Sequence, residues 1–243
     1  MELSFHNSKF EQEVRTRLNI FDRAITDADA KLVTELDLTN FYVEDEDVET
    51  LLHFNNLKIL ALEMKSKDSG FWQHFPRVEA LYWITWGGDI DFEVFSHMHT
   101  LKSLTVSGGD YSSIGFKNLD ALIPLKILEH LELHEFGSVD LAPLRAMKQI
   151  KSLAVRYSHQ VQNIDVIGAM TQLEELTLDG LAVDNLDFLD TLPNNIALEM
   201  CGIQVPKREN IDIKKWKRFT NRDICEIEVG GPWEYVDLSE LEK

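Results

Sequence analysis

The chain has 243 residues, 44% of them apolar and 27% charged, which allows a large buried core and excludes a disordered or fibrous protein. Forty-two acidic residues against 24 basic ones leave a formal charge of -18, so binding to nucleic acid or to an anionic membrane lacks its basic footprint; a basic partner is favoured, the plainer reading being that acidity keeps the protein in solution. No stretch approaches the roughly 18 apolar residues of a membrane span, and the opening MELSFHNSKFEQEV has no apolar signal core, so a cytoplasmic protein is expected.

From Val33 onward one pattern recurs in chain order, apolar-x-x-apolar-x-apolar. It reads VTELDL from Val33, LKILAL from Leu57, VEALYW from Val78, LKSLTV from Leu101, LEHLEL from Leu128, IKSLAV from Ile150, LEELTL from Leu173, a weaker NIALEM from Asn195, and ICEIEV from Ile224. Successive starts differ by 24, 21, 23, 27, 22, 23, 22 and 29 residues. Alternate residues of a strand share a face, so the fourth and sixth positions must both enter a core if each segment is a strand. All eighteen are apolar, from Leu36 and Leu38 to Ile227 and Val229, where 44% apolar content gives about eight by chance.

A second period leads into each strand, with apolar residues at every third position, as in Leu119, Leu122, Leu125, Leu128 and in Leu141, Leu144, Met147, Ile150. Spacing by threes suits a 3₁₀-like or short helical return rather than a long α-helix, whose stripe drifts at 3.6. The final segment NIDIKKWKRFTNRDICEIEV is expected to break this period, placing Trp216 and Phe219 at helical spacing before a ninth strand. That register sets Cys201 and Cys225 roughly 16 Å apart along neighbouring strands, at about 3.3 Å per residue, so reduced thiols are expected. Lys214, Lys215, Lys217, Arg218 and Arg222 read as a solvated helix face, with a binding patch as the alternative. The expected architecture is α/β: a right-handed solenoid, or horseshoe, with nine parallel strands on its concave face and short 3₁₀-like or helical returns on its convex face. Residues 1-32 form a helical N-terminal cap, 33-205 the repeats, and 206-243 a C-terminal cap with a helix and the final strand.

These segments resemble leucine-rich repeats, whose period is roughly 20 to 29 residues, and over nearly the whole chain they resemble the bacterial internalin-like class. The resemblance implies that FEQEVRTRLNIFDRAITDADAKLVTELDL is the helical N-terminal cap of that family, with Thr26 capping a helix that contains Asp27 and Asp29. With no secretion signal ahead of the cap, the surface-anchored adhesion role of secreted members is not carried over. The repeats depart from the family at the residue eight after each strand start. Its usual Asn or Cys is replaced by Phe41, Lys65, Trp86, Gly109, Phe136, Ser158, Leu181, Ile203 and Pro232, so an asparagine ladder is missing and irregular turns are expected.

Chemistry-bearing motifs are sparse: there is no phosphate-cradling glycine loop, no Gly-x-Ser-x-Gly, no His-Glu-x-x-His and no Cys-x-x-Cys. No cofactor is expected. In HLELH, however, His130, Glu132 and His134 alternate along one strand and project onto the concave face at steps of roughly 6.6 Å. Small residues flank them: Ser103, Thr105 and Ser107 on one side, Ser152 and Ala154 on the other. A His-x-Glu pair could supply two metal ligands with no evident third, whereas His, Tyr and Arg together suit a protein contact, with Arg156 and Tyr157 on the next turn. Trp83 and Trp72 read as packing, Trp86 as partly exposed, and Tyr82 and Ile84 as concave-face residues beside Glu63 and Met64. The acidic run Glu44 to Glu49 lacks the ligand alternation of a calcium loop and reads as a solvated turn.

The expectation is therefore a non-enzymatic, intracellular protein-binding module holding a basic protein partner on its concave face. Its contact residues are Tyr82, Ile84, His130, Glu132, His134, Arg156, Tyr157, Glu175 and Asp179. The third, fifth and seventh positions of the nine repeats contain nine acids and one strong base, Arg156, a far steeper ratio than the whole chain shows. A narrower form is an immunity- or antitoxin-like inhibitor of a basic toxin. The rivals are a metal-dependent enzyme at His130, Glu132 and His134, and self-assembly through the solenoid edges.

Overall fold

The computed structural model describes residues 1–65, 69–86, 88–109, 114–206, 211–219, 221–230, 234–239 and 241. Its backbone is one long parallel sheet formed by nine strands in chain order: β1 (Glu35–Tyr42), β2 (Ile59–Glu63), β3 (Ala80–Ile84), β5 (Ser103–Ser107), β7 (His130–Asp140), β8 (Ser152–Gln162), β9 (Glu175–Leu181), β10 (Ala197–Cys201) and β12 (Asn221–Ile224). Short strands β4 (Ile90–Asp91) and β6 (Gly115–Lys117) extend it beside the far end of β7, and β11 (Ile203–Val205) pairs with β13 (Ile227–Val229) separately.

In the first eight turns the alternation works as the sequence implies. Leu131 and Leu133, Leu153 and Val155, and Leu176 and Leu178 lie side by side in register and are buried, as are their equivalents from Leu36 to Met200. The apolar threes form 3₁₀ returns at Phe92–Phe95, Leu119–Leu122, Ala142–Ala146, Ile164–Ala169 and Asp187–Thr191. Among the described residues the turns that use α-helix are early ones, in α3 (Asp45–Leu51) and α4 (Ser69–Trp72). Trp72 and Trp83 pack edge to face, centroids 5.3 Å apart, inside this core.

At the N-terminal end, α1 (Ser8–Leu18) lays Phe10 against Phe41 and Phe54. Thr26 and Asp29 form a reciprocal capping box on α2 (Asp27–Ala30). Arg23 and Thr26 hold the Asp29 carboxyl well below the usual carboxylate range. The acidic run is helical rather than a turn, and although Glu44, Asp45, Glu46 and Glu49 are solvated, Asp47 is buried and accepts the backbone N–H groups of His6 and Asn7, at 3.0 and 3.1 Å. Amides fix a carboxylate there that charge density alone assigns to water.

The C-terminal end corrects the sequence reading. Asn221 pairs with Ala197 and Ile224 with Met200, so the ninth turn starts at Phe219, five residues earlier than the ICEIEV pattern suggests. The period of three does not break: Ile213, Trp216 and Phe219 continue it through a 3₁₀ segment, Ile213–Arg218, not an α-helix. Ile227 and Val229 are buried, but by the separate pairing with Ile203 and Val205. The true ninth turn puts Arg222 where every earlier turn has an apolar residue.

That five-residue shift also removes the expected distance between the cysteines. Cys201 and Cys225 become neighbours on adjacent strands with Cα atoms 4.7 Å apart, and they form a disulfide instead of remaining reduced. Strand spacing in a sheet is about 4.8 Å, so the corrected register brings the two sulfurs together without distorting the backbone.

The missing asparagine ladder is replaced by an apolar one. Phe136, Leu181, Ile203 and, after the register correction, Ile227 are buried at the position after the turn, together with Ser158. Pro232, which the sequence register placed there, lies outside the described residues. The residue just before this plug is left-handed in five consecutive turns: Glu135, Tyr157, Gly180, Gly202 and Glu226. Glycine enters this conformation freely and other residues at a cost, so Gly180 and Gly202 satisfy the backbone while Glu135 and Tyr157 keep side chains despite it.

Candidate protein-interaction face

The side chains pointing away from the core form the concave face, and they divide along the solenoid. Near the N-terminal end, Ile59, Tyr82 and Trp86 are exposed and Ile84 is half-buried beside Glu63. Met64, expected next to them, is fully buried in the core. Trp86 is 48% exposed yet fixed: its indole Nε1–H donates to Glu63 Oε1 at 2.6 Å, and the ring lies so close to Gly109 that a Cβ there would sit 2.9 Å from it. Tyr82 is 37% exposed, and its hydroxyl is pushed above its ordinary pKa by burial and then by the carboxylates of Glu132, Glu135 and Asp37.

The middle and C-terminal parts are a charge network centred on Arg156. Its guanidinium reaches Glu132 at 3.1 Å, Glu199 at 3.5 Å and Asp179 at 3.6 Å, spanning β7 to β10. His134 faces Tyr157, centroids 5.4 Å apart, and Tyr157 lies against Gly180 while remaining 42% exposed. His130 stands exposed at the start of the same strand. Glu175 and Asp223 have no side-chain partner among the described residues. Both line a groove at the end of the face that Leu238 and Leu241 wall off, where Arg222 Nη2 donates to the Leu241 carbonyl at 2.7 Å.

The strand-start lysines leave this acidity intact. Lys102 bonds Glu79 at 2.5 Å, Lys58 approaches the same carboxylate at 3.5 Å, and Lys151 bonds Glu129 at 3.0 Å. Two members of the basic cluster at the C-terminal end are engaged in structure: Lys215 pairs with Asp190, and Arg218 donates to the carbonyls of Leu189 and Asp190 while stacking over Phe219.

His130, Glu132, Arg156, Glu175 and Asp179 thus share one face with Tyr82, Ile84, His134 and Tyr157, but the HLELH column does not converge. Glu132 is held by Arg156 and His134 by the Tyr157 ring, and among the described residues no three His, Cys, Asp or Glu side chains are placed to hold a metal ion. With the corrected ninth register, Glu226 and Glu228 leave the concave columns and Asp223 enters, so nine acids less two plus one leaves eight. The sequence reading missed Asp223, and it missed the glycines that pin Trp86 and Tyr157. The unbroken threes Ile213, Trp216 and Phe219 would have located the first.

No protein-family model matches the sequence, and no curated protein is significantly similar to it. Among the described residues no helix is long and apolar enough to cross a membrane. The fold is a leucine-rich-repeat solenoid. Its form is internalin-like: internalin C2 from Listeria monocytogenes, 16% identical, superposes over 92% of this chain and 94% of its own with a TM-score of 0.64. TLR13, in its complex with ssRNA13, matches 84% of this chain with 31% of its own at 13% identity and a TM-score of 0.58. The ectodomain of the receptor kinase GASSHO1/SCHENGEN3 from Arabidopsis thaliana, in complex with CASPARIAN STRIP INTEGRITY FACTOR 2, matches 83% with 25% of its own at 16% identity and a TM-score of 0.54.

Proposed function

We propose that this protein is a non-catalytic binding module whose concave face holds a protein partner presenting a Lys- and Arg-rich surface. The observation that carries the reading is the set of eight carboxylates in the outward columns against one strong base in those columns, Arg156, which three of them already surround, while Glu35 pairs with Arg17 of the cap helix. Acid concentrated on one face steers a basic partner and sets its register, where acid kept only for solubility spreads evenly. The same acidity opposes carrying over the RNA ligand named for TLR13. An inhibitor that covers a basic toxin is the narrower form of the proposal.

Intracellular residence belongs to the proposal too. In a reducing cytoplasm Cys201 and Cys225 would stand as two adjacent thiols, and in an oxidising compartment as the disulfide; thiol titration of protein isolated from its native cell without reductant distinguishes the two. The binding test starts from the partner recovered by affinity purification from that cell. Glu175→Lys with Asp223→Lys, at two carboxylates without side-chain partners among the described residues, is expected to weaken the complex about tenfold or more. Asp120→Lys on a convex return is expected to change nothing. Equal affinities for the two variants would overturn the reading.

A further inference from the structure

Where the strands end, the chain turns along a narrow rim on one side of the concave face, through a left-handed residue from Glu135 onward, and the rim carries two aromatic platforms. Trp86 lies on Gly109 of the following turn, and Tyr157 lies on Gly180 of the following turn. Each ring is oriented by a second contact, Trp86 by Glu63 at 2.6 Å and Tyr157 by His134 at 5.4 Å between centroids. Neither ring is needed to fill the core, since both are more than two fifths exposed. Tyr157 even holds a left-handed backbone, φ 51°, at a position where the next two turns use glycine. Half-exposed aromatics seated against a neighbouring turn are what anchor an interface.

Between the platforms the rim is low and anionic. Gly108 is forced to be glycine because any Cβ would collide with the Glu135 carbonyl, and the Glu135 side chain accepts from the Ser107 hydroxyl at 3.1 Å. Trp86 follows β3 and Tyr157 lies in β8, three strand steps apart, which is about 14 Å at sheet spacing. An extended chain covers about 13 Å in four residues and returns residue i+4 to the same side as residue i.

We propose that this strand-end rim docks an extended basic segment of the partner, with two cationic side chains four residues apart stacked on Trp86 and Tyr157 and the intervening chain lying over Gly108 and beside Glu135. Cations favour the faces of tryptophan and tyrosine, and Glu63 and Glu135 add charge of the matching sign. This rests on the concave-face reading above and narrows it to two anchors and one spacing.

The test titrates the full chain with three synthetic Gly/Ser octapeptides: arginines at positions 2 and 6, arginines at positions 2 and 3, and glutamates at positions 2 and 6. The readout is the Trp86 indole N–H signal, assigned with Trp86→Phe, together with the Tyr157 ring signals. The 2/6 arginine peptide is expected to bind about two- to fivefold more tightly than the adjacent-arginine peptide, an advantage that Tyr157→Ala removes. If both arginine peptides bind equally and Glu175→Lys with Asp223→Lys weakens both, the rim proposal is wrong and the acidic-face reading stands. If neither binds better than the glutamate peptide, both are wrong.

Discussion

Two stretches of the concave face, over β2 and β3 and from β7 to β10, are built from the same strand geometry and differ in chemistry. Over β2 and β3 the outward residues are apolar and aromatic, with Trp86 bound to a single carboxylate. From β7 to β10 they are charged, and one arginine holds three carboxylates from three different turns. Core positions constrain both stretches equally, so they cannot account for the contrast. The inward residues specify the solenoid and the outward ones specify what it holds, and the two sets alternate along every strand without competing.

The largest effect should come from the floor that both stretches share. Leu131→Ala or Leu153→Ala removes a buried leucine from the central strands and is expected to cost roughly 2 to 5 kcal/mol, measured by urea unfolding. Loss confined to one stretch would mean that the two fold as separate units.

The charged stretch is followed by the ninth turn, which has exposed Arg222 at an inward position and is stapled by the Cys201–Cys225 bond across 24 residues. Reducing that bond is expected to lower stability by roughly 3 kcal/mol in the chain-entropy account, with faster amide exchange in the ninth turn and none gained at Tyr82 or Trp86. Uniform loss of protection along the solenoid would contradict a local staple.

Smaller effects separate the two surfaces. Arg156→Ala leaves Glu132, Asp179 and Glu199 facing one another and should cost no more than about 1 kcal/mol at low salt, because the network is partly solvated; added salt should shrink the loss. Tyr157→Gly should stay within about 1 kcal/mol of the parent, since relief of the left-handed backbone offsets the lost ring contacts. A large destabilisation there would make Tyr157 a packing residue and remove it as an anchor.

Most of this fold was legible in the sequence because it is written redundantly. Eight repeats of Leu or its equivalents at the fourth and sixth positions, preceded by apolar threes, leave one solution for the sheet. The ninth turn was misplaced because ICEIEV alternates as well as a sheet strand does, and alternation cannot say which partner buries Ile227 and Val229; a contact with β11 does. The disulfide followed the same error, since five residues of register convert strand neighbours into distant thiols. The face was legible by position but not by state. Sequence places Glu132, Arg156 and Asp179 in outward columns, whereas their mutual neutralisation depends on distances across three turns. The glycine seats under Trp86 and Tyr157 were hidden for the same reason: each glycine is remote in sequence from the ring it supports.

The most direct test of the central claim is the association rate with the native partner as a function of salt, for the parent chain and for Glu175→Lys with Asp223→Lys. With screening over about 8 to 10 Å at physiological ionic strength, the parent rate should fall steeply between low and high salt, and the variant should start slower and fall less. A parent rate that is flat across that range, or a variant that associates as fast as the parent, would contradict an acidic concave face as the steering surface.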